Sequence, residues 1–501
     1  MQAILVKDQD HNALTYSVLF LGIALYSAVF GYYTCISHYQ LHTRAYDLGI
    51  NVNYFWNTWF NDEFMRCSYC FNVPDFYYLY DHVELLPVFI IGPFFKLFPH
   101  AETLLIAQSI LLGLGALPIF LIAKHLLKNN STGLVLAACY LLNPAVQSAN
   151  FYDFHQLSFL PLVYGFMIYF ILKGSRFYYL SLICLLLMKE DMVIVATLFS
   201  LFLLLHFKRY RTAGLTMLIS LGWLLVMNWF IQGDAETFNH YFYFSELVSK
   251  GGTLGELVAN IFLDPLNTLS IIFRAEKMIF LFQMLLPFLF LPLMGARYLF
   301  LFVYGASLSL LSSHAPLYQM GFQYSFYWLT GLAVAYIFVL SDIKQGLFEI
   351  YKKLNYRYIL FLTLFCTLGL NIAYGAFSGD GFKTAYHTVE FEYSQEDEER
   401  YRCFQSLVET HIPPQASVVA DEVLTPHLST RAKIESVRFF LNKRKFEYIV
   451  LIERDSRPYF QFLRYLRRLG SFEEIASECG FVVYKNNSSR RAPVNQSWDQ
   501  F

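Results

Sequence analysis

Charge is what this chain has least of. Lys, Arg, Asp and Glu make up 15% of its 501 residues, against about 25% in an ordinary globular domain. Hydrophobic residues reach 56% and aromatics 19%. The shortage excludes a soluble protein of several domains, because apolar stretches this dense, at a mean hydropathy of +0.40, need a bilayer as well as a core. There is no basic excess either. The formal net charge is −1, which removes the electrostatic footprint of a nucleic-acid binder. The phosphate loop GxxxxGK(S/T), the HExxH zinc helix, the GxSxG elbow and the Rossmann GxGxxG are all missing, so chemistry on nucleoside triphosphates or dinucleotides has no support here. Fixed-period repeats and low-complexity tracts are absent as well. The polar start Met1–Asn12 lacks the basic region of a cleaved signal peptide, and no small-residue cleavage site follows, so the first apolar run reads as a retained helix.

What the chain does have is long apolar runs. A membrane helix takes about 20 mostly apolar residues, and about eleven runs approach that length: 13–35, 102–126, 131–149, 157–172, 177–188, 192–206, 215–231, 277–293, 298–312, 323–340 and 358–377. Lys and Arg collect at every second connection: Lys7, Lys124 and Lys128, Lys173 and Arg176, Lys208 to Arg211, Arg297, then Lys344 to Lys353. By the positive-inside rule these mark the cytoplasmic side. The alternation requires the run Val83–Phe98, broken by Pro87, Gly92 and Pro93, to lie along the outer surface or to dip in and return. The expectation is a mainly α polytopic bundle over residues 1–377, with interfacial helices in a first outer loop (36–100). A soluble extracytoplasmic α/β domain would follow over 378–501. The N-terminus is then cytoplasmic. The tail holds about half of all charges and three strand-like runs, Ala416–Ala420, Tyr448–Ile452 and Phe481–Tyr484, with a helical pattern over Phe460–Leu469. Its acidic stretch Glu396–Glu399 reads as a helix start or a solvated linker. Cys67 with Cys70, and Cys403 with Cys479, fall on the expected oxidising face as disulfides or free thiols, whereas Cys139, Cys184 and Cys366 read as apolar filling.

Ionisable groups crowded against apolar runs carry the chemistry in such a chain. Four stand out. Arg44-Ala-Tyr-Asp47-Leu-Gly precedes an aromatic run from Tyr54 to Phe60; Asp47 there is either a general base over the bilayer surface or a helix cap. Asp81-His82-Val-Glu84 precedes the non-crossing run. Asp153 and His155 sit two apart between spans, close enough to converge on one ligand. Lys189-Glu190-Asp191 is wedged between two apolar runs with barely a loop, and either lines a polar cavity or snorkels to water. All four fall on the expected outer side. Together they suggest a polar cavity that works with carboxylates and cations.

Asp47-Leu-Gly-Ile…Trp56-Asn-Thr, Asp81-His82, Asn150-Phe-Tyr-Asp153-Phe-His155, Lys189-Glu190-Asp191 and Ile412-Pro-Pro-Gln-Ala-Ser-Val…Pro426-His-Leu-Ser-Thr-Arg431 occur in this order. In that succession the chain resembles the bacterial membrane-protein family DUF2079, which is itself similar to the GT-C glycosyltransferase superfamily. The pattern departs at Val52-Asn53, where relatives often carry Asp-Gln, at Gln156-Leu157 in place of Pro-Glu, and at Gln323 in place of a His before Tyr324. The resemblance implies a GT-C-like membrane enzyme that takes a sugar from a polyprenyl-phosphate-linked donor in the lipid bilayer and passes it to an acceptor on the outer face. It implies an acidic catalytic residue in the first outer loop, which here is Asp47. Arg44 and Lys189 would face the leaving phosphate. Asp81, His82, Asp153, His155, Glu190, Asp191 and Tyr324 would line the substrate pocket, and the carboxylates among them could hold a divalent cation. The same charges also fit a translocation path for lipid-linked or small polar substrates, or a member of the family that has lost catalysis.

Overall fold

The computed structural model describes residues 2–70, 76–80, 82–230, 240–347, 356–377, 382–383, 388–439, 446–454 and 456–487. The chain divides into two compact units. One gathers Met1–Tyr32, Tyr80–Pro87 and Ala107–His387, the other Tyr33–Leu79, Val88–Ile106 and Thr388–Phe501.

In chain order the helices begin with α1 (Gln2–Tyr39), α2 (Ile50–Phe60), α3 (Leu85–Leu97), α4 (Ala101–Leu114), α5 (Ala116–Leu127), α6 (Asn130–Leu141) and α7 (Pro144–Asn150). Then come α8 (Leu160–Leu172), α9 (Phe177–Leu186), α10 (Met192–Leu205), α11 (Tyr210–Phe230), α12 (His240–Phe244), α13 (Leu254–Leu263) and α14 (Pro265–Ile272). The remainder are α15 (Ala275–Leu285), α16 (Val303–Leu311), α17 (Phe326–Lys344), α18 (Tyr356–Tyr374), α19 (Gln395–His411), α20 (Thr425–Leu428) and α21 (Arg457–Leu469). Each of the eleven runs picked out by hydropathy contains an α-helix. Among the described residues five helical stretches are long and apolar enough to cross a membrane: Asn12–Tyr39, Ala101–Leu127, Tyr210–Trp229, Gln323–Lys344 and Tyr356–Tyr374.

The other runs are shorter helices, and prolines and irregular turns account for much of the shortfall. The run over 277–293 is helical only to Leu285, because Pro287 and Pro292 turn the chain into two 3₁₀ turns with left-handed backbone at Leu289 and Phe290 between them. The run over 298–312 opens with a 3₁₀ stretch, Ala296–Leu301, before α16. The non-crossing run becomes α3, 13 residues with Pro93 inside it. At 1.5 Å per residue it reaches about 20 Å, short of the roughly 30 Å hydrocarbon core. At the centre of the first unit lies α17, buried from Phe326 to Ile343 and packed on α5, α8 and α16.

The second unit is built on a five-stranded mixed sheet. After a two-residue ladder of β1 (Arg66–Cys67) and β2 (Phe76–Tyr77), its strands are β3 (Val418–Ala420), β4 (Ile434–Ser436), β5 (Tyr448–Ile452), β6 (Phe472–Glu478) and β7 (Phe481–Asn486), in spatial order β4-β3-β5-β7-β6. β3 runs parallel to β4 and β5, and β7 antiparallel to β5 and β6. Three of these strands were legible as apolar runs. β4 is too short to show a pattern, and β6 (Phe-Glu-Glu-Ile-Ala-Ser-Glu) is too polar. The amphipathic α21 covers one face with Phe462, Tyr465 and Leu466 on Val419, Ile449 and Leu451. It stops at Gly470, whose φ of +64° closes the helix in the left-handed conformation that glycine adopts without strain. The acidic stretch resolves as a helix start: Ser394 and Asp397 form a reciprocal capping box on α19.

Both anticipated cysteine pairs are disulfides, Cys67–Cys70 and Cys403–Cys479. The second closes a loop of 76 residues and the first a loop of 3. Chain entropy therefore assigns about 4 kcal/mol to the long bridge and about 2 kcal/mol to the short one. Serine at both Cys403 and Cys479 is expected to lower the thermal midpoint in detergent more than serine at both Cys67 and Cys70.

Candidate functional site

The aromatic helix of the first loop is turned inward. In α2, Val52, Tyr54 and Phe55 are fully buried, and Trp59 packs so closely on Gly92 of α3 that a methyl group there would overlap its ring. Asn53 is a structural bracket. Its Nδ2 donates to the carbonyls of Ser429 (3.2 Å) and Arg431 (2.9 Å), and its Oδ1 accepts from the Ser68 N–H (2.9 Å) and hydroxyl (3.0 Å). Ser68 in turn bonds the backbone of Ile434 at the start of β4. First-loop and tail segments thus share one hydrogen-bonded framework inside the second unit.

Asp47 sits on this framework, in a π-helical turn spanning Ala45–Gly49 rather than at a helix cap. The Ala45 N–H donates to the Glu422 carbonyl at 2.9 Å, and the Tyr69 hydroxyl donates to the Ala45 carbonyl at 2.8 Å. Leu48 is fully buried. A Cβ on Gly49 would lie 2.5 Å from the Tyr69 hydroxyl, so only glycine fits there. Leu48 and Gly49 of the Asp-Leu-Gly motif therefore do packing work, while Asp47 is left half-buried. Arg44, assigned from sequence to a leaving phosphate, lies 3.6 Å from Glu422, which also holds Arg438 at 3.3 Å. Its charge has a carboxylate partner on the same framework.

The strongest concentration of charge lies in the first unit. The Leu86 N–H donates to the Leu187 carbonyl at 2.8 Å, which brings the first turn of α3 against the turn between α9 and α10. There Lys189 Nζ stands 3.0 Å from Glu190 Oε1 and 3.6 Å from Glu84 Oε1, and His82 Nδ1 lies 3.3 Å from Glu190 Oε1. Asp191 accepts hydrogen bonds from the hydroxyls of Tyr304 (2.9 Å) and Tyr327. Asp81 lies outside the described residues.

The electrostatics follow from burial and these neighbours. Burial works against a charged Lys189, but Glu190, Glu84 and Asp191 outweigh it and hold the ammonium charged. Burial also opposes ionisation of Glu190, yet Lys189 and His82 keep it well below the usual carboxylate range. His82 is raised: burial lowers it, and Glu190 more than restores it. Burial raises Asp191, with Lys189 opposing. Glu84, only 2% exposed, is pushed by burial up to about 7, against the opposing pull of Lys189. The cluster thus holds one fixed ammonium, one fixed carboxylate and a carboxyl poised near neutrality. A divalent cation does not fit here, because Lys189 already occupies the place between the two glutamates. Among the described residues, no three His, Cys, Asp or Glu side chains gather as a metal site.

Glu84 gives the fold a pH dependence. Its carboxyl titrates at 4.5 when unfolded and at about 7 when folded. Between these values the folded chain keeps a proton that the unfolded chain releases, so stability falls as pH rises through this window, by about 3 kcal/mol at most. The difference between wild type and Glu84→Gln in thermal midpoint, followed from pH 5 to 8, is expected to isolate that slope.

A second polar group surrounds Asp153 and His155, also in the first unit. Asp153 is buried and holds a φ of +41°, a left-handed conformation that Asp tolerates better than most residues. Gln108 of α4 fixes the turn: its Nε2 donates to the carbonyls of Asn150 and Asp153, and its Oε1 accepts from the His155 N–H at 2.8 Å. The His155 ring stacks on Tyr152 with centroids 5.0 Å apart, and Tyr152 meets Phe322 edge-on at 4.7 Å. Tyr324, two residues on, hydrogen-bonds Tyr243, which lies close enough to Lys189 to feel its charge. The 3₁₀ turn Gln323–Ser325 packs on both α7 and α16, so the segment Phe322–Tyr327 links the two groups. Lys189, Glu190, Asp191, His82 and Tyr324 are brought together, with Asp153 and His155 joined to them through that segment. Asp47 and Arg44 belong to the other unit.

Sequence reasoning noted Glu84 but gave it no role, and it passed over Gln108, Tyr243, Tyr304 and Tyr327. Glu84 had a local signal, its place two residues after His82. The tyrosines and Gln108 lie in apolar helices or loops, and nothing in their neighbours marks them.

A bundle of apolar helices with a buried lysine–carboxylate cluster marks an integral membrane protein. The chain belongs to the family described as predicted membrane protein (DUF2079), whose pattern matches residues 37–479. Among solved structures it is similar to ArnT from Cupriavidus metallidurans in the apo state, at 12% identity and a TM-score of 0.50, covering 96% of this chain and 100% of that one. That likeness is one of fold. A search of curated proteins finds no match.

Proposed function

We propose that the chain transfers a sugar from a polyprenyl-phosphate-linked donor to an acceptor hydroxyl. The observation that carries this reading is the cluster of Lys189 with Glu84 and Glu190, set between apolar helices where an unpaired charge is costly. A lipid-linked phosphodiester brings one negative charge at the edge of the bilayer. Lys189 supplies the matching cation, and protonation of Glu84 removes the carboxylate that competes for it. In the transfer the acceptor oxygen attacks the anomeric carbon as the carbon–oxygen bond to phosphate breaks. The lipid phosphate departs with the electron pair, and a base takes the hydroxyl proton. Asp47, half-buried on a turn fixed by Leu48 and Gly49, is our candidate for that base. His82, Asp153, His155, Glu190, Asp191 and Tyr324 are assigned to substrate contact, and Asp81 keeps that role from sequence alone. The two disulfides support an oxidising, extracytoplasmic setting for the second unit.

Binding of a polyprenyl phosphodiester to the purified protein in nanodiscs tests the assignment. A phosphodiester does not titrate near neutrality, so any pH dependence there belongs to the protein. Affinity is expected to fall as pH rises through about 7, by up to about tenfold per unit, and Glu84→Gln is expected to abolish that fall. Equal, pH-independent binding in both proteins overturns the role of the cluster.

A further inference from the structure

The stretch between α11 and α15 contains a helical hairpin whose exposed face has no use in the proposed chemistry. α13 begins at an N-cap, Thr253, which accepts the Glu256 N–H, and α14 begins at Asp264, which accepts the Asn267 N–H. The hairpin packs inward through Leu257 and Ile271 on a small core with Phe244, Leu247 and Val248. Its apolar arc is wider than that core. Phe262 is 77% exposed, Leu263 and Leu266 are each 79% exposed, and Val258, Leu269 and Phe273 extend the same surface.

Length excludes a crossing. The two helices have 10 and 8 residues, about 15 and 12 Å, against a hydrocarbon core of roughly 30 Å. Short amphipathic helices with one bulky apolar face lie in the plane of the headgroup boundary. The helix that follows the hairpin, α15, likewise exposes apolar side chains, Ile279 and Phe282. Polar groups of the hairpin and its flanks are largely paired with one another: Ser249 on Glu256, Asn260 on the Leu247 carbonyl, and Arg274 with Glu246.

At the root of the hairpin stands Tyr243. Its carbonyl accepts from the Ser312 hydroxyl and the Ser313 N–H, both at 2.7 Å, and its phenol bonds Tyr324 beside Lys189. We propose that α13 and α14 are a lipid-seated anchor, lying in the leaflet surface and holding Tyr243 against the Lys189–Asp191 cluster. This assignment is independent of whether the chain transfers a sugar.

Photo-crosslinking tests it. p-Benzoylphenylalanine at Phe262 or Leu266, in the full chain in native membranes, is expected to give lipid adducts by mass spectrometry, whereas the same probe at exposed Lys250 gives none. Adducts to another protein or to a second copy of this chain, or no lipid adducts at 262 and 266, overturn the proposal. In nanodiscs the double variant F262D/L266D is expected to speed trypsin cleavage after Lys250 and Arg274 while the remainder of the chain keeps its cleavage pattern. Unchanged cleavage at those sites contradicts anchoring.

Discussion

Lys189→Met is expected to cost about 3–5 kcal/mol of stability, the range for removing one partner of a buried ion pair. Methionine fills most of the lysine volume, so the loss is electrostatic rather than a cavity. Glu190 is held ionised by Lys189 at 3.0 Å, and without it a buried carboxylate has only His82 opposite it. The chain answers by protonating Glu190, so the variant should recover stability as pH falls, in contrast to a simple packing defect. The double variant Lys189→Met/Glu190→Gln leaves no lone charge in the pair and is expected to be more stable than Lys189→Met alone. Thermal midpoints of the two variants across pH 5 to 8 check both statements. If Lys189→Met unfolds at the wild-type midpoint at every pH, the cluster contributes nothing to the fold.

Asp47→Asn is expected to reduce sugar transfer by about 10²–10⁴-fold, the share that a positioned general base supplies. Stability should move little, because the backbone framework under Asp47 is untouched: the Ala45 bonds to Glu422 and Tyr69 do not involve the Asp47 side chain. Asparagine keeps the shape and cannot accept the proton. Rates measured beside thermal midpoints separate this from a folding defect, and an Asp47→Asn protein with the wild-type rate removes Asp47 from the mechanism.

Much of the fold was open to sequence reasoning because a bilayer imposes one demand on every span, a long apolar run. That demand marks α1, α11, α17 and α18 plainly. The run that Pro87, Gly92 and Pro93 punctuate is a single short helix, α3. The α/β tail was legible where strands are buried on both faces, as in β3 and β5, and illegible in β6, whose Glu-rich face looks like a loop. The site was half legible. Lys189-Glu190-Asp191 announces itself because three charges rarely stand between apolar runs, and His82 because it neighbours acids. The carboxylate partner of Arg44 could not be read: only the fold brings Glu422, hundreds of residues away, to its guanidinium. Tyr304 and Tyr327 on Asp191 were unreadable for the same reason, as contacts between distant helices leave no local pattern.

The most direct test of sugar transfer is the fate of the donor. Purified protein in liposomes, supplied with a polyprenyl-phosphate-linked sugar and a membrane extract as acceptor source, should convert the donor to free polyprenyl phosphate and a glycosylated acceptor, both resolved by mass spectrometry. Donor that remains intact, whether it stays on its own leaflet or appears unaltered on the opposite one, would contradict a transferase; the second result would establish a translocator in its place.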